Sequence, residues 1–281
     1  MPTRPGPTVQ RRRLGIELRR LREAAGKTID EVAQVLECSD SKVSRIENGQ
    51  VSASPRDVRD MLAFYDVDVE RREELIEFAR SARKRGWWEA YSDTPAVPVV
   101  GLEVSANHIL AYEPTLVYGL LQTQDYARAV IRAVRPELTS DQVERWARFR
   151  MARQELLTQD DPPEVDVILD ECVLHRPVGG RAMMRNQLQH LIELTALPNL
   201  TLQILPLSIG EHSAMGGAFH VYRFAEQTDP DVVYLEQTLS DLYLEDAKQV
   251  ERHGAAFERL RVAALTPQRS ASMLSTLVEG L

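Results

Sequence analysis

Apolar residues three and four positions apart predict a run of short helices in the first 85 residues. Leu14, Leu18 and Leu21 fall on one face of a helix predicted over residues 11–25. The same spacing recurs in four further segments, at residues 28–36, 39–46, 54–65 and 69–85. The N-terminal part of the chain is therefore expected to be an all-α bundle.

Residues that typically begin and end helices occur at these boundaries. Gly26 follows the first segment, as a helix-ending glycine does. Thr28 with Glu31 three residues later forms the pattern of a capping box. Ser39 is an N-cap candidate, and Pro55 takes the first helical position of the fourth segment. These signals favour separate helices joined by tight turns.

The pattern after residue 100 is mixed. Helical periodicity is seen over about 103–112, 123–134, 140–158, 181–196, 245–264 and 267–278, and strand-like segments at 165–170, 201–205, 218–224 and 232–237. Strand 165–170, helix 181–196 and strand 201–205 form a candidate βαβ unit, followed by an antiparallel pair. The predicted fold is multidomain: a basic arm at 1–13, a helical domain with a connecting helix at 14–86, and an α+β domain at 87–281.

Charge divides the chain in the same way. The net charge of the 281 residues is −8, yet residues 1–86 hold 18 Lys and Arg against 15 Asp and Glu. The remaining 16 basic and 27 acidic residues leave the rest strongly acidic. This asymmetry indicates that the N-terminal part binds nucleic acid and that the rest of the chain has a different function. Two distant cysteines and the lack of a secretory signal or of any ~18–20-residue apolar run favour a cytoplasmic protein with no membrane partner.

The segments 28–36 and 39–46 are joined by only two or three residues, which is the spacing of a helix-turn-helix. Val32, Val43 and Ile46 are expected to fill the wedge between the two helices, and Ala33 is small enough to let them cross closely. The other face of the second helix is entirely polar. That helix is therefore the candidate for entry into the DNA major groove.

The motifs Glu-Val-Ala at 31–33, Leu-Glu-Cys-Ser at 36–39 and Val-Ser-Arg-Ile-Glu-Asn-Gly at 43–49 resemble the Xre type of helix-turn-helix. This is the family of the lambda and 434 repressors and Cro, and the resemblance covers about residues 14–66. It implies a lambda-repressor-like bundle that binds double-stranded DNA. The family often has glutamine at the start of the first helix of the motif, where this chain has Ile29.

The resemblance assigns roles to individual positions. Those that would touch base edges are Asp40, Ser41 and Arg45. A partly buried ion pair would join Arg22 to Glu47. The resemblance places Ser39 and Asn48 at phosphates. Side-chain chemistry adds further phosphate candidates, namely Lys27, Thr28, Lys42, Ser44 and the arm residues Arg11, Arg12 and Arg13.

The chemistry of these side chains agrees with the assigned roles and leaves two alternatives open. The guanidinium of Arg45 suits bidentate bonding to guanine. Asp40 could accept a hydrogen bond from cytosine or simply cap its helix. Arg11–Arg13 could contact DNA or form a solvated charge run.

The sequence of the second domain contains no specific catalytic or metal-binding motif. None of the six histidines shows metal-ligand spacing, and no cofactor is expected. Cys172 and His175 follow a predicted strand. They could form a catalytic pair, but the simpler interpretation is that they are ordinary polar residues at the end of a strand. The chain is therefore expected not to be an enzyme.

Three longer segments, at 86–93, 112–128 and 197–206, resemble actinomycete regulators of the WhiJ-like kind, which are described as antitoxin-like. The resemblance implies a transcription factor whose C-terminal domain receives a ligand or protein signal, with a small partner protein encoded nearby. A homodimer is expected, since one recognition helix reads too few base pairs. The alternative is an antitoxin-like interaction module that regulates its own operon. An enzyme fused to a DNA-binding head ranks last.

Overall fold

A computed structural model describes residues 7–82, 87–91, 94, 97–225, 230–236 and 241–281. The chain divides into two compact units, residues 1–105 and 106–281. Residues 1–6 of the predicted arm, the end of the helix predicted over 69–85 and the end of the strand predicted over 232–237 lie outside the described residues.

The described part of the first unit is helical, as predicted. Its helices are α1 (Pro7–Ala24), α2 (Ile29–Val35), α3 (Asp40–Glu47), α4 (Pro55–Phe64), α5 (Val69–Ala82) and α6 (Val97–Glu103), with a 3-10 turn at Trp87–Tyr91. One core joins α1 to α5, and its fully buried members include Leu18, Val32, Val43, Val58 and Leu62. Gly26 has a φ of +67°, which confirms its role after α1.

Two predicted boundaries in this unit need correction. Helix α1 begins at Pro7, so residues 7–13 of the predicted basic arm are helical. Proline suits a first helical position, and further along α1 the guanidinium of Arg13 lies over the ring of Phe78. The division between units falls at Ser105 and Ala106, later than the predicted 86/87, because α6 packs against α1.

The second unit is α+β, as predicted. Its strands are β1 (His108–Glu113), β2 (Glu164–Asp170), β3 (Leu200–Leu205), β4 (Phe219–Arg223), β5 (Val232–Leu235) and β6 (Leu242–Leu244). Its helices are α7 (Gln124–Val134), α8 (Ser140–Arg153), α9 (Glu171–His175), α10 (Arg181–Leu194), α11 (Ala247–Ala263) and α12 (Pro267–Gly280). The expected βαβ unit is confirmed, since β2 pairs with β3 in parallel, and β4 and β5 form the expected antiparallel pair.

The helix expected over 103–112 is wrong. Residues 108–113 form β1, which lies in the middle of a six-stranded sheet of order β3-β2-β1-β4-β5-β6. It pairs in parallel with β2 and antiparallel with β4. The four residues Ile109–Tyr112 are buried on both faces of the sheet, so they form a continuous apolar run in place of an alternating one.

Among the described residues, no helix is long and apolar enough to cross a membrane.

Candidate nucleic-acid interface

The helix-turn-helix is formed by α2, a four-residue turn and α3. Thr28 and Glu31 form the predicted capping box at the start of α2. In the turn, Glu37 adopts a φ of +50°, and the N–H of Cys38 donates to the carbonyl of Ala33 at 2.9 Å. Ser39 occupies the N-cap of α3 but makes no side-chain capping hydrogen bond. The short turn therefore directs α3 across α2 without a side-chain cap.

Helix α3 has one buried and one exposed face. Val43 and Ile46 are 0% and 1% exposed and belong to the core of the unit. Asp40, Ser41 and Arg45 are exposed. Its eight residues span about 12 Å, close to the ~12 Å width of the major groove. The three predicted base-reading residues therefore share an accessible surface of suitable length.

The carboxyl end of α3 lies unusually close to α1. A Cβ on Gly15 would stand 2.5 Å from the carbonyl oxygens of both Ile46 and Glu47. A Cβ on Gly49, whose φ is +66°, would lie 2.7 Å from the Cα of Arg12. Glycine at both positions thus permits backbone-to-backbone packing, which fixes this end of α3.

The predicted ion pair between Arg22 and Glu47 is present. The guanidinium donates from Nε to Oε1 at 2.7 Å and from Nη2 to Oε2 at 3.0 Å. Both residues are buried, and a third bond runs from Arg22 Nη1 to the carbonyl of Lys27 at 2.9 Å. The hydrogen bonds to Glu47 raise the pKa of Arg22 above its ordinary value. This bidentate pair joins α1 to the end of α3.

Several basic residues expected at phosphates have contacts inside the protein. The ammonium of Lys27 lies 4.5 Å from the ring centre of Phe64, and the guanidinium of Arg13 lies 5.4 Å from that of Phe78. Lys42 donates to Asp57 at 3.2 Å. These partners lie 15 to 65 residues away in sequence, so local pattern offered no signal for them.

Local hydrogen bonds organise the exposed face of α3. Nε of Arg45 donates to the carbonyl of Ser41, one turn earlier, at 3.2 Å. The amide of Asn48 donates to the hydroxyl of Ser44 at 3.4 Å. The predicted base-reading and phosphate-contacting positions are thus neighbours along the helix.

In the second unit, the Cys172 and His175 side chains have different partners. The thiol donates to the carbonyl of Pro114 at 2.9 Å, while His175 Nε2 lies 3.3 Å from a carboxylate oxygen of Glu171. Burial and the neighbouring Asp170 raise the pKa of the Cys172 thiol to about 11. At neutral pH it is therefore a protonated thiol and a poor nucleophile.

A largely buried polar pair that the sequence did not suggest lies at the junction of β1 and β4. His220 Nε2 is 2.9 Å from Glu113 Oε1, and its ring is 5.0 Å from that of Tyr118 and 5.7 Å from that of Tyr234. Among the described residues, no group of three or more His, Cys, Asp or Glu is arranged to hold a metal ion. The pair joins the parallel and antiparallel halves of the sheet.

Comparisons with known proteins agree with this division. A family model described as a helix-turn-helix domain matches residues 13–75, and one described as a domain of unknown function, DUF5753, matches residues 98–276. No curated protein and no solved structure matches the chain. Because the second match spans more than half of its length, the chain belongs to the DUF5753 family, here with an N-terminal helix-turn-helix domain.

Proposed function

We propose that this protein is a sequence-specific transcriptional regulator that places α3 in the major groove of double-stranded DNA. One observation carries the proposal. Asp40, Ser41 and Arg45 are exposed on a helix whose opposite face is locked into the core by Val43 and Ile46. The matched helix-turn-helix domain supports DNA binding itself.

Arg45 is proposed as the main base reader. Its guanidinium can bond both acceptors of guanine, a contact typically worth ~1–3 kcal/mol of discrimination. Ser41, one turn earlier, can donate or accept and so discriminates less. Asp40 would accept from cytosine and repel phosphate, which disfavours wrong registers.

The proposed phosphate contacts surround this helix. Thr28 and Ser39 are exposed at the amino ends of α2 and α3, where backbone N–H groups attract anions. Asn48 is exposed beyond the carboxyl end of α3, and Ser44 precedes it by one turn. Arg11, Arg12 and Arg13 lie in α1, so they would contribute as charges on a helix. Such contacts supply affinity and salt dependence without reading sequence.

A homodimer on a pseudo-palindromic site is part of the proposal. One recognition helix covers only a few base pairs, whereas a genome offers ~10⁶ or more competing sites. Two copies would double the sequence that is read.

The second unit is proposed to receive the regulatory signal, from a ligand or from a small partner protein. The motifs at 86–93, 112–128 and 197–206 support the finer assignment to WhiJ-like regulators. A catalytic role is not proposed, and the high pKa of Cys172 disfavours the one candidate nucleophile that the sequence suggested. A regulator of this type would work in the cytoplasm.

The test is selection of a binding site by the full-length protein from random DNA duplexes, followed by anisotropy on the selected and shuffled duplexes. A preference of ~10³ or more is expected for a specific regulator. Arg45→Ala should lose most of that preference while keeping most non-specific affinity. Equal loss of both affinities would instead make Arg45 a phosphate contact. Failure to select any site would contradict sequence-specific binding.

A further inference from the structure

A single carboxylate ties the recognition helix to the start of α4. Asp57 Oδ2 accepts a hydrogen bond from Lys42 Nζ at 3.2 Å. The same oxygen accepts from the backbone N–H of Ser54 at 3.4 Å, and the N–H of Asp57 donates to the Ser54 hydroxyl at 3.0 Å. Lys42 is therefore bonded to the capping box of α4, which is itself fixed by Val58 and Leu62 in the core.

Lys42 lies on the flank of α3, between its exposed and buried faces. Successive helical residues are about 100° apart, so Lys42 separates exposed Ser41 from fully buried Val43. An attachment on this flank opposes rotation of α3 about its own axis. Such a rotation would move Ser41 and Arg45 together relative to the bases.

Polar side chains attach α3 to the bundle at both of its ends. Glu47, the last residue of the helix, is held by Arg22 through two hydrogen bonds. Lys42 is in the first turn, where Ser39 makes no side-chain capping bond. With Asp57, it therefore gives the amino end of α3 a polar attachment to the bundle that the cap does not provide.

The pairing also changes what the lysine can offer to DNA. An ammonium bound to a carboxylate is already neutralised, so it would not displace a counterion from a phosphate unless the pair broke. The side chains of Lys42 and Asp57 are 36% and 19% exposed. An ion pair this accessible contributes little to overall stability. If its loss clearly lowers base discrimination, the cause is therefore a change in the orientation of α3.

We infer that Lys42 is a positioning residue, which acts through Asp57 to set the orientation of the recognition helix, and that it does not contact phosphate. The inference rests on the proposed function, because orientation matters only if α3 reads bases. It assigns Asp57, a residue outside the helix-turn-helix pair, to base discrimination.

The experiment compares wild type with Lys42→Met, Lys42→Arg and Asp57→Asn. Each full-length protein is titrated by anisotropy with the site selected by wild type and with a shuffled duplex, at four salt concentrations. Lys248→Met serves as the control for loss of a charge, since Lys248 is exposed on α11 in the other unit. Circular dichroism and the melting temperature verify that each variant is folded.

Lys42→Met should keep the wild-type slope of log affinity against log salt and reduce the preference for the selected site about tenfold. Asp57→Asn should reduce the preference similarly, and its released ammonium should steepen the slope on shuffled DNA by about 0.9. Lys42→Arg should retain the pair and the preference, and Lys248→Met should behave as wild type.

The inference is overturned if Lys42→Met makes the slope shallower by about 0.9 with the preference intact, since Lys42 would then be a phosphate contact. It is also overturned if Lys42→Met and Asp57→Asn are folded and leave both quantities unchanged. Wild type that selects no site would remove the proposed function and this inference together. If wild type selects a site but the variants give either of these two overturning results, the inference alone is removed and the proposed function stands.

Discussion

Arg22 and Glu47 form a buried, bidentate ion pair between α1 and the last turn of the recognition helix, with bonds of 2.7 and 3.0 Å. Neither partner can be removed alone at low cost, because the other would remain as an uncompensated buried charge. Arg22→Met or Glu47→Gln should each destabilise the protein by about 3–5 kcal/mol.

The double variant Arg22→Met/Glu47→Gln should be less destabilised than the sum of the two single changes, since it removes both charges. Urea unfolding of the full chain, followed by circular dichroism, measures all three. Additive losses would show that the pair is not coupled as the geometry indicates.

Gly15 permits the close approach of α1 to the carboxyl end of α3. Alanine there would place a methyl group 2.5 Å from two backbone carbonyl oxygens, which cannot move aside as a side-chain end can. Gly15→Ala should therefore cost about 1–3 kcal/mol or more, although alanine is the better helix former.

Gly254, inside α11, provides the matched control. A Cβ there would lie 3.6 Å from Arg223 Nη2, which is an ordinary van der Waals contact. Gly254→Ala should stabilise the chain by about 0.5–1 kcal/mol, so the same substitution has opposite signs at the two positions. Calorimetric melting of both variants tests this, and a stabilising Gly15→Ala would disprove the close packing.

Glu17 connects α1 to α5 in a pH-dependent way. Its carboxylate accepts from Arg20 at 2.8 Å and from Arg71 at 3.2 Å, and these bonds lower its pKa from 4.5 to about 2. A lowered pKa means that the folded state binds fewer protons than the unfolded state between these values. The contribution of Glu17 is therefore fully present above pH 4.5 and is lost as the pH falls towards 2.

Glu17→Gln should flatten this part of the dependence of stability on pH. Urea unfolding at pH 5, 4 and 3 gives the measurement, and Arg20→Met should remove part of the same slope. A Glu17→Gln variant whose stability falls with acid as steeply as that of wild type would exclude Glu17 as a source of the dependence.

The helix-turn-helix could be predicted closely because its signals are local. The Thr28–Glu31 capping box, Gly26 and the apolar spacing of α2 and α3 each act within a few residues. The ion pair between Arg22 and Glu47 was predicted from the family resemblance, which carries spatial information that the spacing of residues along the chain lacks. Asp57 was missed because its tie to Lys42 depends on where α4 begins in space.

Long-range topology accounts for the principal error in the second unit. The segment 108–113 is a strand because β2 and β4 flank it, and both come from more than 50 residues later in the chain. Its apolar run suits a buried helix equally well when considered alone. By contrast, β2 and β3 were recognisable from their boundaries, and the helix between them indicated a parallel pair.

Gln187 holds an irregular part of the chain against α10. Fully buried, it accepts from the N–H of Thr123 at 2.7 Å and donates to the carbonyl of Leu121 at 2.7 Å. Gln187→Leu would leave both backbone groups without these bonds. Leu121 is buried and Thr123 is partly buried, and a buried unpaired group costs about 1–3 kcal/mol, so the loss should exceed that of an ordinary polar-to-apolar change.

Gln189, exposed on the same helix, is the matched control, and Gln189→Leu should change stability by no more than about 0.5 kcal/mol. Urea unfolding gives the free energies, and amide hydrogen exchange shows whether protection at Thr123 is lost in Gln187→Leu. Because β1 leads into this segment, loss of these bonds should also lower amide protection in the neighbouring sheet. Equal, small effects of the two substitutions would show that the segment is held by apolar packing alone.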